Sequence, residues 1–247
     1  MILTLLILIP LVAGILSMFM KDAAKGIALI SAIATTVVTA ILLMALNAVS
    51  SGGYTEWSIP WIPTLGTNIS LMADGMAGML CLLTGIVMTV VFITNQNKEV
   101  KNPGSFYGLM LLSQAGITGV FLASDALLFY FFWELALIPV YFLCSQWGGE
   151  KRIAVTFKFF IYTFVGSLML LAGLIYLSLQ NPGPDSFAWN NIIRAGASLP
   201  ADQQQWLFWL IFIAFAIKMP IFPFHTWQPD TYEQSPTPVT IILSALM

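Results

Sequence analysis

Long apolar runs alternate with short polar joints along the whole chain. An α-helix rises about 1.5 Å per residue, so crossing hydrocarbon takes about 20 apolar residues. Seven runs approach that length: Ile2–Met20, Gly26–Val49, Leu71–Gln96, Gly104–Ala123, Ala126–Trp147, Ile153–Leu179 and Gln205–Met219. An eighth begins near Pro236 and reaches Met247 after only about two or three turns, short of a crossing. The pattern therefore predicts the N-terminal part of a longer protein. Residues 1–103 read as a three-helix segment, and residues 104–247 as a second unit of four helices and the start of another. No basic region precedes the first run, and Lys21 and Lys25 follow it. That order predicts an uncleaved first helix, not a leader peptide.

The joints alternate in charge. Lys21, Lys25, Lys98, Lys101, Lys151 and Arg152 all fall in the first, third and fifth connections, and the second, fourth and sixth hold only Arg194. Basic loops stay on the cytoplasmic side, so the N-terminus is predicted to lie outside. The longer connections, Ser51–Ser70 and Asn181–Gln204, then lie on the outer face and read as loops. Trp57, Trp61, Trp189 and Trp206 suit the headgroup interface there.

Composition agrees. Hydrophobic residues make up 59% of the 247 positions and charged residues 8%, against roughly 25% charged in soluble domains. A net charge of −2 gives no footing for a nucleic acid. Cys81 and Cys144 sit inside apolar runs without C-x-x-C spacing and read as small buried hydrophobes. The chain carries no flavin, iron–sulfur, nucleotide or metal motif, so any redox chemistry belongs to another subunit.

Against this background the charges inside the spans stand out. Asp74 and Asp125 stand at helix starts, where a carboxylate caps free N–H groups. Glu134 lies roughly 13 Å along its helix from Asp125. A carboxylate at that depth needs a partner or a wet pocket; otherwise it takes up a proton and serves packing. Intramembrane ionisable groups are usually functional, and Pro139 permits a kink beside the site. Lys218 ends FWLIFIAFAIK and meets the breakers MPIFPFHTWQP. Pro220, Pro223 and Pro229 forbid a continuous helix, and broken helices in membranes line protein or water-filled cavities. The alternative for Lys218 is a side chain snorkelling to the interface. Lys158 is open to both readings, with Tyr162 and Thr163 on the same helical face. His225 follows the break and suits either proton relay or the capping of freed carbonyls.

Three strings, FFWELALIPVYFLCSQWGG, RIAVTFKFFIYTFVGSLMLL and AFAIKMPIFPFHTWQPDTYEQSPTPVT, resemble the antiporter-like M subunit of proton-pumping NADH:quinone oxidoreductase, respiratory complex I. The resemblance implies an all-α integral membrane bundle of fourteen helices with two inverted five-helix repeats. Here the first repeat would be truncated and its broken seventh helix would end at Lys218. It implies proton translocation by Glu134 paired with Lys218, with His225 and Lys158 in the relay. It further implies L-, N- and K-type membrane partners in a bacterial inner membrane. NADH, FMN, iron–sulfur clusters and quinone would be held elsewhere in the complex, and no cofactor on this chain. Subunits of multisubunit sodium/proton antiporters or membrane-bound hydrogenases share this logic. A purely structural anchor is a further alternative, against which the broken helix argues.

Overall fold

The polar joints end the apolar helices, and capping chemistry fixes where. The computed structural model describes residues 1–48 and 54–247. Val49 of the second predicted span, and Ser51, Gly52 and Gly53 of the predicted outer loop, lie outside the described residues. Helices α1 (Ile2–Phe19) and α2 (Ala24–Ala48) are followed by strands β1 (Thr55–Ile62) and β2 (Thr67–Ala73). Then come α3 (Gly75–Asn95), α4 (Pro103–Leu122), α5 (Ala126–Trp147) and α6 (Arg152–Gln180). The chain continues through α7 (Trp189–Ser198), α8 (Ala201–Lys218), α9 (Gln228–Gln234) and α10 (Thr237–Ala245).

Asp74 caps α3 by accepting the Ala77 N–H at 2.8 Å. Asp125 caps α5 by accepting from Leu127 N and Leu128 N at 2.9 and 3.1 Å. Both carboxylates thus do what their positions predict. Asp125 does more, because it is buried and also accepts from Thr67 Oγ1 at 2.9 Å and Asn68 N at 3.1 Å. One carboxylate therefore ties the start of α5 to β2.

The all-α bundle stands, with one addition: part of the first long outer connection is an antiparallel hairpin, Thr55 pairing with Ala73 and Ile59 with Ile69. Leu71 to Ala73 belong to β2, so α3 begins later than the apolar run does. A strand that continues into a helix leaves no break in hydropathy to mark the change. The second long connection likewise holds the short helix α7.

Among the described residues six helices, α1 to α6, are long and apolar enough to cross a membrane by themselves. The seventh predicted span is α8, which starts four residues before Gln205 with a polar first turn containing Asp202. It stops at Lys218, as the break predicted. Pro220 and Pro223 lack the N–H that would continue the ladder, and their rings clash with carbonyls one turn back. Phe224–Trp227 form a tight 3₁₀ turn before α9. The freed Ile217 carbonyl accepts from the buried Trp227 Nε1 at 2.9 Å.

The pivot of the bundle is α4, 72% of whose spanning window is buried, against 33% to 44% for the other five. Lipid is as apolar as leucine, so helices associate in a bilayer through close packing of small residues. A Cβ at Gly108 would lie 2.8 Å from the Gly14 carbonyl of α1, and one at Gly116 would lie 2.5 Å from the Ala136 nitrogen of α5. These glycines let α1 and α5 seat directly on α4. Large apolar side chains such as Ile30, Met44, Phe157 and Phe208 point outward instead.

Candidate functional site

Seating α5 on α4 fixes the position of Glu134, two residues before Ala136. Its Oε1 is buried and has no hydrogen-bond partner. Tyr130, one turn earlier, is within electrostatic reach of it. On the neighbouring position Trp133 packs edge-on against Phe215 of α8, with centroids 5.7 Å apart. Phe129, Trp133 and Trp189 form a ladder of rings from α5 toward α7, each step 5.5 Å.

The Lys218 ammonium lies over the Trp133 ring, 5.2 Å from its centroid. A cation at that distance is attracted by the ring quadrupole. Glu134 is the carboxylate that acts on it electrostatically. Among the described residues the sole ion pair within 4.0 Å is another one, so Glu134 and Lys218 are neighbours out of contact. The position of Lys218 at the last turn of α8 also places its charge at the negative end of the helix dipole.

Two cavities meet at Lys218. One, of about 140 Å³, is lined by Ile117, Val120, Phe121, Trp133 and Ala136 from α4 and α5 and by Leu246 and Met247 after α10. The other, of about 170 Å³, is lined by Trp227, Gln228, Tyr232 and Ser244, with Phe159 beside them. Both have room for water, but water needs two to four polar partners to stay. The second wall offers amide and hydroxyl groups, with Gln228 Nε2 donating to Tyr232 Oη at 3.1 Å. The first is apolar apart from the lysine itself. Lys218 thus lines both a cavity with an apolar wall and one with polar groups in its wall.

The remaining predicted residues are distributed differently. His225 sits in the turn after the break, its Nδ1 buried without a partner and its ring 5.6 Å from Phe222. It lines neither chamber. Lys158 donates to Asp230 Oδ2 at 2.9 Å and to the Thr226 carbonyl at 2.7 Å. Tyr162 Oη lies 3.0 Å from Thr226 Oγ1, whereas Thr163 turns back to the Phe159 carbonyl of its own helix. Asp230 escaped the sequence reading. Its signal was a carboxylate directly after the breaker string, but nothing in spacing alone pairs residues 72 positions apart.

Residues 123–247, from the end of α4 through the broken helix to α10, match the family model described as NADH:quinone oxidoreductase/Mrp antiporter, TM. The chain belongs to that family. Within it, the chain is 36% identical over 249 residues to F(420)H(2) dehydrogenase subunit M of Methanosarcina mazei, covering 98% of this chain and 50% of the relative. It is 34% identical over 274 residues to NADH-quinone oxidoreductase subunit M of Pseudomonas aeruginosa, covering 100% and 52%. A chain of respiratory complex I from Thermus thermophilus superposes with a TM-score of 0.84 at 27% identity, over 98% of this chain and 49% of that one. The chain therefore spans about half the length of the relatives it matches. The two sequence relatives carry the same M designation that the three sequence strings pointed to.

Proposed function

We propose that the chain is a proton-translocating membrane subunit of an NADH:quinone oxidoreductase-type complex, with Lys218 as the proton carrier and Glu134 as its electrostatic partner. The observation that carries this reading is the place of Lys218: at the end of a broken helix, lining one apolar cavity and one with polar walls, beside a carboxylate it does not touch. An amine in water holds its proton to a pKa near 10.4, too tightly for turnover at neutral pH. Burial disfavours the ammonium form of an amine in general, and a nearby carboxylate favours it. When Glu134 approaches Lys218, the loaded ammonium is stabilised. When Glu134 withdraws, the charge keeps only the Trp133 ring, and the proton passes to water. The gap between the two groups is what makes such a movement useful, since a closed ion pair would hold the proton permanently. His225, with its unpartnered Nδ1 in the turn after the break, is a further relay candidate.

Redox chemistry lies on other subunits, which would hold FMN, iron–sulfur clusters and quinone, and L-, N- and K-type membrane subunits are the expected neighbours. The basic first, third and fifth connections support an N-terminus on the outer side of an inner membrane. The identity to an F(420)H(2) dehydrogenase subunit favours a second reading, in which reduced F420 replaces NADH as donor. Purifying the complete protein with its native complex and assaying both donors separates the two. In membrane vesicles carrying the complete protein, Lys218→Ala and Lys218→Arg should each abolish proton uptake while the complex still assembles, because guanidinium does not release its proton. Wild-type uptake by either variant would overturn the assignment.

A further inference from the structure

A broken helix needs something other than its own ladder to hold the second half in place. The segment from Phe224 to Gln234 is tied at both ends. At its far end the Gln234 carbonyl accepts from Gly149 N at 2.8 Å, and Gln234 Oε1 accepts from Lys151 N at 3.1 Å. At its near end one face of α6 grips it. Lys158 bonds both the Asp230 carboxylate and the Thr226 carbonyl, and Tyr162 meets the Thr226 hydroxyl one turn on. Between them the Phe159 ring lies 5.1 Å from that of Trp227. Trp227 in turn holds the carbonyl of Ile217, the residue before Lys218. A continuous set of contacts therefore runs from Lys158 to the backbone that carries the lysine of the site.

We propose that Lys158 and Asp230 are positioning residues, a charge latch that clasps the segment after the break onto α6 and so sets where Lys218 stands. This rests on the reading of Lys218 as the carrier. The two lysines differ in a way that separates a latch from a carrier. The Lys158 ammonium has two acceptors within 2.9 Å, one of them a carboxylate. The Lys218 ammonium, among the described residues, has a ring face and no ion pair. A half-exposed pair such as Lys158–Asp230, with side chains 37% and 50% exposed, contributes little alone. Here it acts together with the Thr226 carbonyl, the Tyr162 hydroxyl and the packed Phe159 and Trp227 rings, all holding a segment with no helical continuity to α8.

The decisive experiment measures proton uptake per electron transferred in vesicles bearing the complete protein within its complex, normalised to assembled complex. Lys158→Arg should keep at least about half of wild-type coupling, because an arginine still pairs with Asp230, whereas a carrier cannot be an arginine. Lys158→Met and Asp230→Asn should each lower coupling several-fold. Exchanging the charges, Lys158→Asp with Asp230→Lys, should recover at least about half of that loss. Lys158→Arg as inactive as Lys158→Met would overturn the latch in favour of a carrier. Wild-type coupling in both neutral variants would show that no latch operates. If the neutral variants fail to assemble, the arginine and exchange variants decide the matter. A Lys218→Arg variant run alongside keeps the two ideas apart, since normal pumping there defeats the carrier reading and not the latch.

Discussion

The seat of α5 on α4 allows a quantitative test of how the site is held. An alanine at Gly116 would put its Cβ 2.5 Å from the Ala136 nitrogen and 2.7 Å from the Ala136 Cα. Both are backbone atoms, so no rotamer change relieves the clash. An ordinary contact is about 1 Å longer, and α5 must move by about that amount. Overpacking of this kind costs about 1–3 kcal/mol. Glu134 lies two residues from the contact and moves with the helix. Displacing a reacting group by about 1 Å can cost about a hundredfold in rate. We therefore expect Gly116→Ala in the complete protein to lower the thermal midpoint of the purified complex and to reduce proton uptake at least about tenfold, while Lys218 and Glu134 are both intact. The control is Gly75→Ala at the start of α3, where nothing lies within 4 Å of the added carbon. That change should be neutral or stabilise by up to about 1 kcal/mol, since alanine loses less backbone freedom on folding. Unchanged stability and uptake in Gly116→Ala would refute the claim that the α4–α5 contact positions the carboxylate.

Two further outcomes test the framework around the site. Asp125→Ala removes four hydrogen bonds from a buried carboxylate, and should cost about 2 kcal/mol or more. Faster protease cleavage near the β-hairpin would report it, and cleavage at the wild-type rate would contradict it. Gln114→Leu removes the bond from Gln114 Nε2 to Thr35 Oγ1 at 2.8 Å and also a buried, unpartnered Oε1. Because polar bonds between helices in membranes average about 0.6 kcal/mol, the thermal midpoint should barely move. A large drop would mean that Oε1 has a partner in the membrane.

Much of this architecture is legible in one dimension. The membrane class, the first six spans and the place where α8 stops follow from apolar run length and from Pro220 and Pro223, which act through their own backbone. Helix caps are equally local, which is why Asp74 and Asp125 could be placed from their neighbours alone. The hairpin was hidden because β2 runs straight into α3 through Leu71, Met72 and Ala73, residues that suit either state. Glu134 and Lys218 were visible as charges out of place, since each is anomalous within its own helix.

What only the tertiary structure decided is which charges keep company. Lys158 and Asp230 are 72 positions apart in the chain, and nothing at either position names the other as its partner. Their pairing depends on the break folding the segment after α8 back along α6. The same holds for Trp133 beneath Lys218 and for the two unlike cavities that Lys218 lines, which α4, α5, α6, α9 and α10 build together. Sequence determines what each helix must avoid, namely water on its apolar faces and unsatisfied groups at its ends. Packing determines which polar atoms meet, because that depends on how closely neighbouring backbones approach, and at Gly108 and Gly116 the missing side chains set that distance.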